Sequence, residues 1–154
     1  MKNQFDIKKL KILREETGIS FSMCKKALEE TNNNIEKAKK LLTTWGAEKV
    51  TDKAGRTTSQ GAIFSYVHHN KKIASMVELL CETDFVANNS DFVKLGQEIA
   101  MQVASIKTER LEDLLNQEYI RDSSKKISDL IKDSVIKFGE NIKLNRFIRW
   151  QLGE

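Results

Sequence analysis

Gly61-Ala62-Ile63-Phe64-Ser65-Tyr66-Val67-His68-His69-Asn70-Lys71-Lys72-Ile73-Ala74-Ser75-Met76-Val77-Glu78-Leu79-Leu80-Cys81 decides the fold. Its side chains repeat with period two. Ile63, Ser65 and Val67 alternate with Ala62, Phe64 and Tyr66; after a polar run, Ile73, Ser75, Val77, Leu79 and Cys81 alternate with Ala74, Met76, Glu78 and Leu80. Period two is the signature of a strand with two different faces, and the polar run between the halves suits a hairpin turn. The second strand is apolar enough to be largely buried.

Beyond the hairpin lies Glu82-Thr83-Asp84-Phe85-Val86-Ala87-Asn88-Asn89. Phe85 has no periodic partner, so its ring is either folded under the loop or held out toward another surface. Ser90 then suits the N-cap of a helix whose stripe is Phe92, Leu95, Ile99, Val103 and Ile106, with Gly96 and Ala100 allowing close packing on the sheet. Leu111, Leu114 and Leu115 make a helical turn or two, and residues 120–124 are expected to be a break. Ile127, Leu130, Ile131, Ser134 and Phe138 form another stripe ending at Gly139. The last segment returns to period two, with Ile142, Leu144, Ile148, Trp150 and Leu152 on one face, interrupted by Arg146. It is expected to pair with the hairpin.

Upstream, three short amphipathic helices are expected. Ile7, Leu10 and Leu13 precede Gly18, and Met23, Cys24, Ala27 and Leu28 share a second face. A third stripe (Ile35, Ala38, Leu41, Leu42, Trp45) starts at a capping-box spacing, Asn33 to Glu36, and ends at Gly46. The expected organisation is a three-helix module over residues 1–46, a polar linker over 47–60 with room for some helix at its start, and an α+β core over 61–154, with three antiparallel strands and helices on one face. So small a sheet leaves an exposed edge or face, and the terminal strand with Phe147 and Trp150 is a candidate self-association surface unless both rings pack on the helices.

The chain has 154 residues, a net charge of +4 and two cysteines far apart in sequence. With 40% hydrophobic residues and 31% charged, neither disorder nor a membrane span is indicated. Lysines alternate with acids, so nucleic acid is an alternative partner but not an indicated one. Cys24 and Cys81 read as buried thiols in a reducing compartment. The start, MKNQFDIKKLKILREE, carries acids and a helical period, unlike a signal or transit peptide. A protein acting where it is made is expected, in the cytoplasm or in the stroma or matrix of an organelle with its own genome.

Phosphate-loop, dinucleotide, zinc-protease and nucleophile-elbow patterns are absent from the sequence. The adjacent His68 and His69 would point to opposite faces of a strand, a poor arrangement for one metal ion. No nucleophile or base lies near Glu82 and Asp84 in sequence. The expectation is therefore binding without catalysis, cofactor or metal.

Three stretches, in order, carry a resemblance. Leu13-Arg14-Glu15-Glu16-Thr17-Gly18 with Cys24-Lys25-Lys26-Ala27-Leu28 resembles the ubiquitin-associated-like N-terminal module of translation elongation factor Ts. Val77-Glu78-Leu79 running into Cys81-Glu82-Thr83-Asp84-Phe85-Val86-Ala87 is similar to that family's most characteristic motif. Ile136 to Gly153, with Gly139-Glu140-Asn141-Ile142 and Arg146, resembles the end of its core. The resemblance implies a guanine-nucleotide exchange factor for elongation factor Tu. It also implies a role for each matched residue: Phe85 enters the GTPase near its magnesium and phosphate site, Asp84 presses on a neighbouring helix, and Val86 and Ala87 shape the loop that Thr83 opens. Arg14 and the loop after Gly18, with Ile19 and Phe21, match positions that touch the nucleotide domain, although the family usually carries small and methionine residues where this chain has Ile19-Ser20-Phe21-Ser22. Only one core pattern occurs, and residues 107–126 look abbreviated. Short members resemble homodimers, and Phe147, Ile148 and Trp150 are the residues placed at such an interface. Two other readings are a basic nucleic-acid-binding module and a ubiquitin-associated-type peptide adaptor.

Overall fold

In the computed structural model, which describes residues 5–154, the first helix is capped at both ends. Asp6 accepts from the amides of Lys8 and Lys9 and opens α1 (Ile7–Thr17), and Gly18 closes it in the left-handed region at φ 66°, donating to the Arg14 carbonyl. α2 (Phe21–Glu30) follows, then α3 (Ile35–Lys53). Leu10, Leu13, Cys24, Ala27, Leu28, Ala38 and Leu42 form their common core, with Met23, Ile35, Leu41 and Trp45 packed at its margin. Ile7, expected on the buried stripe, is 64% exposed. Residues 1–4 of the expected module lie outside the described residues.

Two local expectations are corrected. The cap of α3 is supplied by Asn34, whose Oδ1 accepts from the Lys37 amide at 3.0 Å. Asn33 instead takes up φ 60° and accepts from the Asp6 amide at 2.8 Å. Nor does α3 end at Gly46. One interior glycine costs about 1 kcal/mol of helix propensity, and the strong formers Ala47, Glu48 and Lys49 carry the helix on to Lys53. The stretch outside helix and strand is thus 54–59, and the chain divides into two compact units, Met1–Asp52 and Lys53–Glu154.

The second unit is built on a three-stranded antiparallel sheet, β1 (Gln60–Val67), β2 (Ile73–Cys81) and the distant β5 (Lys143–Gln151), with β2 in the centre. The short α4 (Asp84–Ala87) and the long α5 (Ser90–Ser105) follow β2, and α5 packs across all three strands. Phe92, Leu95, Ile99, Ala100 and Val103 meet the inward set Phe64, Val77, Leu79 and Leu144, while buried Ser75 donates to the Ala100 carbonyl at 2.5 Å. The cap of α5 is Asn89, accepting from the Asp91 amide, one residue earlier than the expected Ser90. A Cβ on Gly96 would clash with carbons of the Phe64 ring, so this glycine sets how near α5 lies to the sheet. Gly96→Ala is expected to cost about 1–3 kcal/mol by overpacking, seen as a lower urea midpoint at unchanged slope.

The period break noted at Arg146 is a β-bulge. Leu79 faces Leu144, but Glu78 faces Arg146, so Asn145 is the extra residue. Both Asn145 and Arg146 reach the Glu78 carboxylate, at 2.7 and 3.0 Å, and hold it below the usual carboxylate range, the Asn145 hydrogen bond contributing most. Strand parity flips there: Leu144 points under α5, whereas Ile148 and Trp150 point to the open face.

Between α6 (Leu111–Asn116) and α7 (Ile127–Phe138) a small hairpin, β3 (Glu118–Tyr119) with β4 (Asp122–Lys126), replaces the expected break. Its sequence is polar and lacks a strand pattern. The order comes from the fully buried Gln102 of α5, whose Nε2 donates to Gln117 and to the Glu118 carbonyl while its Oε1 accepts from the Ile120 amide at 3.0 Å.

Candidate partner-binding site

The residues after β2 form one helical turn. Thr83 is extended and its hydroxyl accepts from the Val86 amide, capping α4; the Ala87 and Asn88 amides then donate to the carbonyls of Thr83 and Asp84. The turn has two sides. Val86 and Ala87 are buried and anchor it on the unit's core, whereas Phe85 is 85% exposed, with Asp84 also exposed beside it. Of the two placements left open by the sequence, the ring is the one held out. Exposure of so large an apolar side chain on a fixed turn leaves its burial free energy to a partner.

What fixes the turn comes from the end of α7. Gly139 closes that helix in the left-handed region at φ 68° and aims Glu140 back at the β2 exit. Glu140 Oε1 accepts from the Glu82 and Thr83 amides at 3.2 and 3.0 Å, and its Oε2 accepts from the Thr83 hydroxyl at 2.7 Å. The exchange is reciprocal, since Glu82 accepts from the Asn141 amide at 2.7 Å. Buried Asn141 donates from its side chain to the carbonyls of Ala54 and Arg56, and Arg56 pairs with Glu82 at 3.6 Å. Hydrogen bonds to a charged acceptor are worth about 1.5–3 kcal/mol each, so this set holds the turn more firmly than its few helical bonds could. The Cys81 thiol donates to the Thr83 carbonyl at 3.1 Å, and burial raises its pKa first, the neighbouring Glu140 charge second. The cysteine is a structural thiol, not a poised nucleophile.

The structure therefore brings Thr83, Asp84, Phe85, Val86 and Ala87 together on one turn, with only Asp84 and Phe85 facing outward. The other expected residues belong to the first unit. There Arg14 and Phe21 are exposed and Ile19 is half-buried, and with Ile7, Lys11 and Gly18 they line one shallow groove. Phe5 meets Phe21 edge-on at 6.3 Å between centroids. The three residues placed at a self-association surface do not share a face. Ile148 and Trp150, 46% and 71% exposed, lie with Ile63, Val67 and Met76 on the open sheet face. Phe147 pairs with buried Val77 and points to the α5 side, half-buried. The bulge separates the faces but not these neighbours; simple strand alternation puts Phe147 opposite Ile148.

Comparison with known proteins supplies the family. The family model described as "Elongation factor TS" matches residues 82–154, beginning at the site, and one described as "Elongation factor Ts, mitochondrial, N-terminal" matches residues 2–49. Elongation factor Ts of Coprothermobacter proteolyticus is 40% identical, with 94% of this chain and 96% of the relative covered. The chain belongs to the elongation factor Ts family. Elongation factor Ts of Thermosipho melanesiensis and of Leptospira biflexa are each 38% identical, covering 96% and 94% of this chain. The alignment with the Coprothermobacter protein runs over 190 positions against 154 residues here, so that elongation factor Ts carries residues with no counterpart in this shorter chain.

Membership of the elongation factor Ts family assigns the chain to translation elongation. Among the described residues no helix is long and apolar enough to cross a membrane, and no group of His, Cys, Asp and Glu is placed to hold a metal ion. Glu140 and Asn141 stand in the Gly139-Glu140-Asn141-Ile142 stretch that carries part of the family resemblance, yet their role at the turn is invisible in the sequence because Thr83 lies 57 residues upstream.

Proposed function

We propose that this chain is the guanine-nucleotide exchange factor of elongation factor Tu, binding the GTPase and promoting GDP release without chemistry of its own. The observation that carries this reading is the exposed Phe85 at the apex of a turn clamped from two sides. Seating that ring in a partner supplies roughly 1.5–3 kcal/mol, about 10- to 100-fold in an equilibrium. Spent beside a bound magnesium ion, such binding energy weakens the coordination that holds a diphosphate. Asp84 presses on a partner helix next to the ring, and Thr83, Val86 and Ala87 keep the turn in shape. Arg14, Ile19 and Phe21 on the first unit form a second contact with the same GTPase. The test is release of labelled GDP from elongation factor Tu: addition of the protein is expected to raise the off-rate many-fold at substoichiometric concentration, and an unchanged off-rate refutes the reading.

The chain also works as a homodimer in this proposal, its open sheet face covered by a second copy. Ile63, Val67, Met76, Ile148 and Trp150 make that face apolar, and a second copy of the same patch is its natural complement. Trp150→Glu is expected to weaken self-association by roughly 30-fold or more, the effect of losing about 2 kcal/mol at an aromatic anchor. Sedimentation equilibrium reads this directly, and an unchanged dimer constant removes the sheet face from the interface. Basic charge does not favour a nucleic-acid role, because lysines such as Lys39, Lys125 and Lys137 are paired with Glu16, Asp133 and Asp91.

A further inference from the structure

Glu140 lies outside the turn that presents Phe85, yet it touches three donors at the turn's entrance. Its Oε1 receives the amides of Glu82 and Thr83, and its Oε2 receives the Thr83 hydroxyl at 2.7 Å. The last contact has a directional consequence. A hydroxyl has one proton; with that proton committed to Glu140, a lone pair of Thr83 Oγ1 is left to accept from the Val86 amide, which it does at 3.4 Å. The cap of α4 is therefore oriented from a segment 57 residues away. A four-residue helix has no capacity to hold itself in water, since its nucleation is unfavourable and it closes too few bonds to recover that cost.

We propose that Glu140 is a positioning residue for nucleotide exchange: it locks the Thr83 cap so that Phe85 is presented in its binding-competent orientation before the partner arrives. This rests on the exchange reading above for its functional consequence, though not for its structural one. A ring already held out loses little orientational freedom on docking, which is where a preorganised contact gains affinity over a mobile one. Glu140 itself does not touch the partner's nucleotide; it acts through Thr83 and Phe85. The Asn141 amide on Glu82 and the Asn141 side chain on the Ala54 and Arg56 carbonyls hold the carboxylate's own segment in place.

The experiment compares the full-length wild type, Glu140→Ala, Glu140→Gln, Phe85→Ala and the Phe85→Ala/Glu140→Ala double variant in GDP release from elongation factor Tu. Amide NMR spectra of the free proteins are recorded alongside. Glu140→Ala is expected to lower the stimulated rate at least 10-fold, with Glu140→Gln intermediate because its carbonyl still accepts the two amides. The double variant is expected to be no slower than Phe85→Ala alone, since Glu140 has nothing to position once the ring is gone. In the free proteins, the resonances of Asp84 to Ala87 are expected to move toward unstructured values in Glu140→Gln and further in Glu140→Ala. Wild-type exchange by Glu140→Ala overturns the proposal, as does an additive loss in the double variant, which would mark a general structural role. Should Glu140→Ala not fold, Glu140→Gln with native turn resonances overturns it equally. A wild type that fails to stimulate release refutes the exchange reading, and the turn resonances then decide the positioning role by themselves.

Discussion

Replacing Phe85 by alanine is expected to slow stimulated GDP release from elongation factor Tu by roughly 10- to 100-fold, the rate equivalent of about 1.5–3 kcal/mol of lost burial. Thermal stability is expected to stay within about 0.5 kcal/mol of wild type. The two halves of this outcome belong together. Phe85 is 85% exposed and its turn is anchored by Val86, Ala87 and the Glu140 clamp, so the ring contributes almost nothing to the free protein. A variant that loses exchange and stability in parallel would place the ring in the core instead. Stopped-flow release of labelled GDP and a thermal melt on the same preparation separate the two.

Phe92→Ala is expected to do the reverse. Phe92 lies seven positions further on, in the first two turns of α5, fully buried and tilted against Phe64 at 6.0 Å between centroids. Truncating a buried phenylalanine costs about 3–5 kcal/mol, the lost transfer free energy plus the cavity left behind. Domains are typically stable by about 5–15 kcal/mol, so one such change consumes a large part of the margin. The denaturant midpoint of the second unit is expected to fall accordingly, with exchange declining only as the folded fraction declines. Two phenylalanines in one short stretch are thus separated by what each ring touches.

The contrast shows where the sequence is legible. Phe92 sits on a 3.6-residue stripe with Leu95, Ile99 and Val103, and that period alone assigns it to the core. The hairpin of β1 and β2 is equally plain, because its alternation is local and its register follows from a short turn between His68 and Ile73. Phe85 belongs to no period, so its exposure is decided by contacts made elsewhere. The same is true of the other features that sequence reading missed. The hairpin of β3 and β4 is ordered by Gln102, a polar residue inside an apolar helix stripe. The interruption at Arg146 is visible in the sequence, but that it is a bulge at Asn145 sending Leu144 and Ile148 to opposite faces follows only when β5 is laid against β2. Glu140 stands in a stretch that carries the family resemblance, but its role at the turn shows only when the fold sets it beside Thr83. In each case a local rule was silent or incomplete, and a long-range hydrogen bond or strand pairing decided.

Exchange by displacement makes a thermodynamic demand that kinetics alone does not. Whatever factor the protein takes from the affinity of elongation factor Tu for GDP, GDP must take from the affinity of elongation factor Tu for the protein. The most direct test is therefore calorimetric titration of this protein into nucleotide-free and into GDP-loaded, magnesium-saturated elongation factor Tu. Much tighter binding to the nucleotide-free form is predicted, with the ratio shrinking about 10-fold or more in Phe85→Ala. Equal affinity for the two forms would contradict it, because a protein that does not distinguish them cannot weaken the bound nucleotide.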